Sequence, residues 1–234
     1  MNTTPIEARG GIGNCVNAAC AAQVSGRPLR WRATGALRPD DLFANPEVLQ
    51  LTDAEGDYIW LAPNIDPAQL GTPNHHPQHE GVAEHELLAW HWHWSGTVVH
   101  GDRPMALQLR EGGQALPPGT LGVHVRTHHP EIECDLVLAT MAVNALTEIG
   151  TVFLASDTDL PGLSSAVIRS ELQRPEHDDD RARPAIESAL HDWFTLGRCA
   201  EIHRIHASST FVDHWCFAHG MPMKRLLSAA VCDA

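Results

Sequence analysis

The chain has 234 residues, of which 43% are hydrophobic and 19% charged, so it can build one large or two small folded domains with substantial cores. Its formal net charge of −13 at pH 7 opposes binding to DNA, RNA or an anionic membrane, because those partners attract basic surfaces. We therefore expect a protein or small-molecule substrate and no nucleic-acid or membrane partner, while the oligomeric state stays open.

Six cysteines are scattered along the chain without a dense spacing pattern, which favours reduced thiols in a cytoplasm over a disulfide framework. They are Cys15, Cys20, Cys134, Cys199, Cys216 and Cys232. No apolar run has the length of a signal peptide core or the ~18 residues of a membrane span. We expect a cytoplasmic protein, and export without a signal peptide would leave no mark in this sequence.

The first predicted element is a short Ala-rich helix that begins near Cys15, after the glycine-rich residues 10–13, and ends at the break over residues 26–28. A cysteine in the first turn lies near the positive end of the helix dipole, which favours the thiolate. Cys15 is therefore a candidate nucleophile. The alternative is a small, buried, apolar side chain.

The middle of the chain alternates tryptophan and histidine over residues 90–94, which predicts a strand with tryptophans on one face and histidines on the other. Further strands are predicted near residues 97–100 and 105–110, so we expect an antiparallel region. Its histidines form one candidate metal site, with a half-exposed, metal-free strand face as the alternative. These histidines are His75, His76, His79, His85, His91, His93 and His100.

Two apolar runs, over residues 121–126 and 134–138, flank a turn and predict a β-hairpin. A hairpin holds an imidazole rigidly beside a carboxylate. His124 and Asp135 are therefore the candidate general base and orienting acid for Cys15. The alternative for Asp135 is an acid that caps the end of the turn.

Beyond residue 139 the pattern changes to alternating helices and strands. The sequence predicts helices over residues 141–149, 164–172 and 185–194, and a buried strand over residues 151–155. We therefore expect a core of residues 1–139 and an α/β extension or second small domain of residues 140–234.

The first helix carries a family resemblance. Asn14-Cys15 opens it and a Gly-x-Pro turn at residues 26–28 closes it, and this run resembles the catalytic helix of papain-fold toxin domains, bacterial effector modules related to glutamine deamidases. The resemblance implies an α+β fold with a papain-like N-terminal helix packed on an antiparallel sheet. It also implies a triad of Cys15, His124 and Asp135, although this chain has Gly122-Val123-His124 where the family has Gly-His.

The implied activity is that of a cysteine-dependent amide hydrolase or acyl transferase, similar to a deamidase, on a protein or small amide substrate. Cys15 would attack an amide or acyl carbon, and water or an amine would resolve the thioester. Backbone N–H groups around residues 14–16 would stabilise the oxyanion. This reaction requires no cofactor.

A second run, Cys199-Ala200-Glu201, resembles the Cys-Ala-Glu motif of bacterial toxin-type zinc deaminases. In that motif the cysteine binds zinc and the glutamate moves protons to and from the zinc-bound water. Cys216 and His219 could complete the ligand set, whereas the usual Pro-Cys-x-x-Cys turn is missing. A zinc-dependent nucleoside or base deaminase is thus one alternative. A non-enzymatic acidic binding or inhibitor protein is the other.

Overall fold

The computed structural model describes residues 4–33, 35–56, 58, 106–126, 135–172, 182–205, 211–212 and 223–227. The chain divides into two compact units, Met1–Arg110 and Glu111–Ala234. The boundary between the units therefore follows Arg110, whereas the boundary that the sequence predicts lies after residue 139.

The first unit begins with a parallel β-α-β arrangement. Strand β1 (Ile6–Gly10) leads into helix α1 (Ile12–Ser25), and strand β2 (Leu29–Ala33) returns to pair with β1 in parallel. Gly10 permits the sharp exit from β1 because its φ is 80°. Gly26 ends α1 in the left-handed conformation, as a glycine after a helix commonly does.

One face of the β1–β2 pair carries charged side chains, of which Glu7 and Arg30 are buried. The guanidinium of Arg30 donates to the Glu7 carboxylate over 3.1 Å, and Arg9 donates to the same carboxylate. The ring of Tyr58 lies under both guanidinium groups, at 4.7 Å from Arg9 and 5.4 Å from Arg30. Glu7 is therefore compensated by cations, as a buried carboxylate must be.

The remainder of the first unit is short and irregular. Helix α2 (Pro39–Leu42) and a 3-10 helix (Pro46–Val48) both begin with proline, which suits the first helical position because its missing N–H would be unpaired there. Phe43 forms an isolated antiparallel bridge with Leu109.

The second unit is a five-stranded parallel sheet with helices between strands. Its strands are β3 (Leu121–Val125), β4 (Val152–Ser156), β5 (Val167–Arg169), β6 (Glu201–Ile205) and β7 (Met223–Leu227). Their spatial order is β5-β4-β3-β6-β7, and every pairing is parallel. The chain thus adds β4 and then β5 on one side of β3, and it then crosses back to add β6 and β7 on the other side.

Helices cover both faces of this sheet. Helix α3 (Leu136–Thr147) contributes Ala139 and Val143 to a core that includes Val123 and Val125 of β3. Helix α4 (Arg183–Leu196) packs on the opposite face, where a methyl group at Gly122 would come within 3.0 Å of Leu196. The strands are therefore buried on both sides, as is usual for a parallel sheet.

The expected mixture of helices and strands is confirmed, but the expected sheet direction is wrong. Both sheets in the described part of the chain are parallel, so the predicted antiparallel sheet and the papain-like α+β arrangement are incorrect there. The strand predicted over residues 90–94 lies outside the described residues. Within the described ranges, no helix is long and apolar enough to cross a membrane.

Candidate functional site

Cys15 lies one turn inside helix α1, not at its open end. The helix begins at Ile12, and the Cys15 N–H already donates to the Gly11 carbonyl over 3.1 Å. Its thiol donates to the Gly10 carbonyl over 3.6 Å. The Cys15 N–H is thus already hydrogen-bonded within the helix and does not serve as the oxyanion donor that the sequence predicts.

The environment of Cys15 also opposes thiolate formation. The residue is fully buried, and burial raises the pKa of its thiol from 9.0 to about 12. Desolvation disfavours the charged form and outweighs the helix dipole here. A cysteine nucleophile requires the opposite condition. Cys15 also belongs to the first unit, whereas His124 and Asp135 belong to the second.

The predicted hairpin between His124 and Asp135 does not form. His124 lies on β3, which pairs in parallel with β4 and β6. Asp135 is instead the N-cap of α3, where its carboxylate accepts hydrogen bonds from the N–H groups of Val137 at 2.9 Å and Leu138 at 3.0 Å. The acid therefore stabilises a helix end, which accounts for its position without a triad.

Cys199 and Glu201 are engaged in local structural contacts. The buried thiol of Cys199 donates to the Thr195 carbonyl over 3.7 Å, and burial raises its pKa to about 12. Glu201 accepts a hydrogen bond from Nε2 of His203 over 2.7 Å. Both side chains therefore contribute to local structure in the described part of the chain. The remaining predicted ligands, Cys216 and His219, lie outside the described residues.

The metal hypotheses receive no support from the described ranges. There, no group of three or more histidine, cysteine, aspartate or glutamate side chains is arranged to hold a metal ion. The histidines between His75 and His100 lie outside these ranges, so a metal site among them stays a sequence-based prediction.

A different site forms where the order of the parallel strands reverses. β3 and β6 are neighbours in the sheet but are separated in the chain by β4 and β5. His124 and Arg204 are the penultimate residues of β3 and β6, they pair in register, and both are buried. The crevice at the carboxyl ends of such strands is where open α/β sheets bind their ligands.

Two further residues belong to this location. Arg126 directly follows β3 and is exposed. Phe211 follows β6, and its ring stacks on the His124 imidazole with centroids 5.0 Å apart and planes inclined by 17°. We refer to His124, Arg126, Arg204 and Phe211 as the switch-point site.

The sequence singles out only His124 among these four residues. Arg126 is predicted merely as the last residue of a strand, and nothing local marks Arg204 or Phe211. The available signal is the set of short apolar runs at residues 121–125, 152–156 and 201–205 with helical patterns between them, which is typical of a parallel sheet. The ends of those runs would have identified the site.

Comparison with protein-family models and with curated proteins finds no match. Among solved structures, the chain is similar to NodZ alpha-1,6-fucosyltransferase soaked with GDP-fucose, at 17% identity and a TM-score of 0.44 over 93% of both chains. It is also similar to the same enzyme co-crystallised with GDP, at 18% identity and a TM-score of 0.46 over 95% of this chain and 93% of that one. Because both TM-scores are below 0.5, we transfer no residue role from these structures.

These observations correct the functional predictions. Both structures described above are fucosyltransferases, not papain-fold deamidases or zinc deaminases. The resemblance suggested for the first helix is wrong, because this helix connects two parallel strands, and the cysteine-dependent amide hydrolase is wrong, because the thiol of Cys15 is buried. The zinc deaminase is likewise wrong, because Cys199 and Glu201 make local contacts and the described residues form no group that could hold a metal ion, and the non-enzymatic acidic binding or inhibitor protein is replaced by the proposal below. GDP-fucose and GDP, the ligands named for those two structures, are small molecules and not protein or amide substrates.

Proposed function

We propose that the second unit binds a nucleoside diphosphate group at the switch-point site and that the protein is a transferase that uses a nucleotide-sugar donor. The observation that carries the proposal is the strand order β5-β4-β3-β6-β7, with His124 and Arg204 in register at the ends of the two strands where the order reverses. Open parallel α/β sheets bind their ligands at this point, which supports the proposal.

The charges of the site fit a diphosphate. Arg126 is exposed at the end of β3, and Arg204 is buried beside His124. Arginine presents several N–H donors in a fixed plane, which suits phosphate oxygens. These two cations stand out in a chain with a net charge of −13. A phosphate group is therefore a better partner for this edge than a neutral or cationic ligand.

The local structure also argues against a dinucleotide cofactor of the NAD type. Such cofactors place their pyrophosphate on the N-terminus of the helix after the first strand, behind a glycine-rich turn. Here residues 126–135 contain no glycine. The Asp135 carboxylate already occupies the first amides of α3. Among the described residues at this edge of the sheet, the exposed Arg126 is the side chain that we propose to bind the phosphate groups.

Arg126 then has a role in the transfer step. The bond between the anomeric carbon of the sugar and the terminal phosphate oxygen breaks and its electron pair stays on the diphosphate, while the oxygen of an acceptor hydroxyl bonds to the anomeric carbon and its proton passes to solvent. Negative charge develops on the departing diphosphate, and a guanidinium group held beside it lowers the barrier. GDP and GDP-fucose, the ligands of the two similar structures, are the first ligands to test.

The proposal is tested by calorimetric titration of the full chain with GDP, UDP and ADP, each beside its nucleoside. We expect one diphosphate to bind and its nucleoside to bind far more weakly. Arg126→Ala removes a charged hydrogen bond worth about 1.5–3 kcal/mol, which corresponds to a roughly 10- to 100-fold loss of affinity. If none of the diphosphates binds, or if Arg126→Ala binds as tightly as the wild type, the proposal is wrong.

Arg198→Ala is the matched control. Arg198 is also exposed and also belongs to the second unit, but it precedes β6 and donates to the Gly112 carbonyl over 2.8 Å at the amino end of the sheet. Its removal changes the net charge by the same amount. We expect unchanged diphosphate affinity, which separates a local contact from a general charge effect.

A further inference from the structure

Phe211 is held in a defined position at the switch-point site. Its ring stacks on His124, and its backbone carbonyl accepts a hydrogen bond from the Trp193 indole N–H over 2.7 Å. The next residue, Val212, is almost completely buried. Three contacts, made to β3, to α4 and to the core, therefore fix Phe211 and Val212.

The ring of Phe211 is nevertheless not fully covered. The residue is half-buried, whereas Trp193 and Val212 around it are inaccessible to solvent or nearly so. If its purpose were only to anchor the turn, Val212 would already fulfil it. A partly exposed aromatic residue that stacks on His124 at the switch-point site offers a flat surface that a planar ligand group can cover.

We infer that Phe211 is the stacking surface for the nucleobase of the bound nucleotide. This inference rests on the proposed function, and it adds that the base and the diphosphate are recognised by different residues. The base lies against Phe211, while Arg126 binds the phosphates. Because His124 already orders the ring and Trp193 holds the backbone of Phe211, the protein loses little conformational entropy when the base stacks.

The test compares two probes on the same variants of the full chain, GDP and inorganic pyrophosphate. Removal of an aromatic platform weakens base binding by about 1–3 kcal/mol, or roughly 5- to 100-fold. We expect Phe211→Leu to weaken GDP by this factor and to leave pyrophosphate affinity unchanged. Phe211→Tyr keeps the ring and should bind GDP as the wild type does. Arg126→Ala should weaken both probes.

Each outcome has a distinct meaning. If Phe211→Leu binds GDP normally, or if it weakens GDP and pyrophosphate by the same factor, the stacking role is wrong while the diphosphate site stands. If the wild type binds none of GDP, UDP, ADP and pyrophosphate, the proposed function and this inference both fail, whereas binding of UDP or ADP without GDP leaves the proposed function standing and overturns the inference for a guanine base. A thermal melt of each variant shows whether the fold is retained, and Phe211→Tyr provides the second measurement should Phe211→Leu not fold.

Discussion

The helix cap at Asp135 allows a prediction of defined size. The carboxylate accepts hydrogen bonds from Val137 N–H at 2.9 Å and Leu138 N–H at 3.0 Å, and it adds a negative charge at the positive end of α3. Replacement of an N-cap residue by alanine costs about 1 kcal/mol, within a range of about 0.5–2 kcal/mol. We expect Asp135→Ala to destabilise the protein by about 1–1.5 kcal/mol, since the cap also interacts with the dipole.

Urea denaturation followed by circular dichroism measures this cost, with the midpoint lowered and the slope unchanged. Asp135→Asn is the matched variant because its amide oxygen can accept the same hydrogen bonds without the charge. It should cost only the dipole contribution, about 0.3–1 kcal/mol. An alanine variant as stable as the wild type would refute the capping role. An asparagine variant as unstable as the alanine variant would show that the charge, and not the pair of hydrogen bonds, is what stabilises α3.

Two further predictions concern packing and the thiols. Gly122→Ala should lower the free energy of unfolding by about 1–3 kcal/mol, because its new methyl group would lie 3.0 Å from both Cys199 Sγ and Leu196 Cδ2. In urea denaturation, Cys199→Ala should restore part of that loss. Full stability of Gly122→Ala would contradict this packing. Burial raises the pKa of Cys15, Cys20 and Cys199 from 9.0 to about 12, so these thiols should resist Ellman's reagent at pH 8 until urea is added. The unfolded thiols ionise near pH 9, while the folded ones stay protonated. The free energy of unfolding should therefore be unaffected below pH 9 and fall between pH 9 and 12. A free energy of unfolding that does not change over this range would contradict the burial.

Elements with local signals were predictable from the sequence. The end of α1 is marked by Gly26, whose φ of 66° is one that glycine adopts without strain. The apolar runs that become β3 and β4 are short and buried, and the predicted helix over residues 185–194 lies within α4. In each case the pattern of a few neighbouring residues is sufficient, because burial on one or two faces sets the periodicity.

Strand direction could not be predicted from the same signals. Two apolar runs near a turn predict a hairpin, but the second run, which begins near Asp135, forms helix α3. The partners of β3 are β4 and β6, which begin 31 and 80 residues after it does, at Val152 and Glu201. A pairing over such separations depends on the crossover helices and on the packing of both faces, not on any local motif. Similarly, β5 lies where an amphipathic helix was expected, because a three-residue edge strand has too few residues to show alternation.

The candidate site was also only partly predictable from local sequence signals. His124 was singled out as the general base on a predicted hairpin that does not form, whereas its neighbour Arg204 comes from a strand that lies 80 residues further along the chain. Cysteines were candidate nucleophiles or zinc ligands because of their residue type, yet burial leaves the thiols of the described ranges protonated. Chemistry at this site follows from which strand ends meet, which is a property of the topology.

The net charge then constrains how a diphosphate could be recognised. A chain with a charge of −13 repels an anionic ligand at long range, so electrostatic steering cannot supply the affinity. Over the Debye length of about 8 Å at physiological salt, however, the nearest charges dominate. The Asp135 carboxylate occupies the helix end that would otherwise bind phosphate. Arg126 and the buried Arg204 would therefore supply the positive charge for the phosphate groups. A neutral aromatic surface such as Phe211 gains importance for the same reason, because stacking contributes affinity that the overall charge does not oppose.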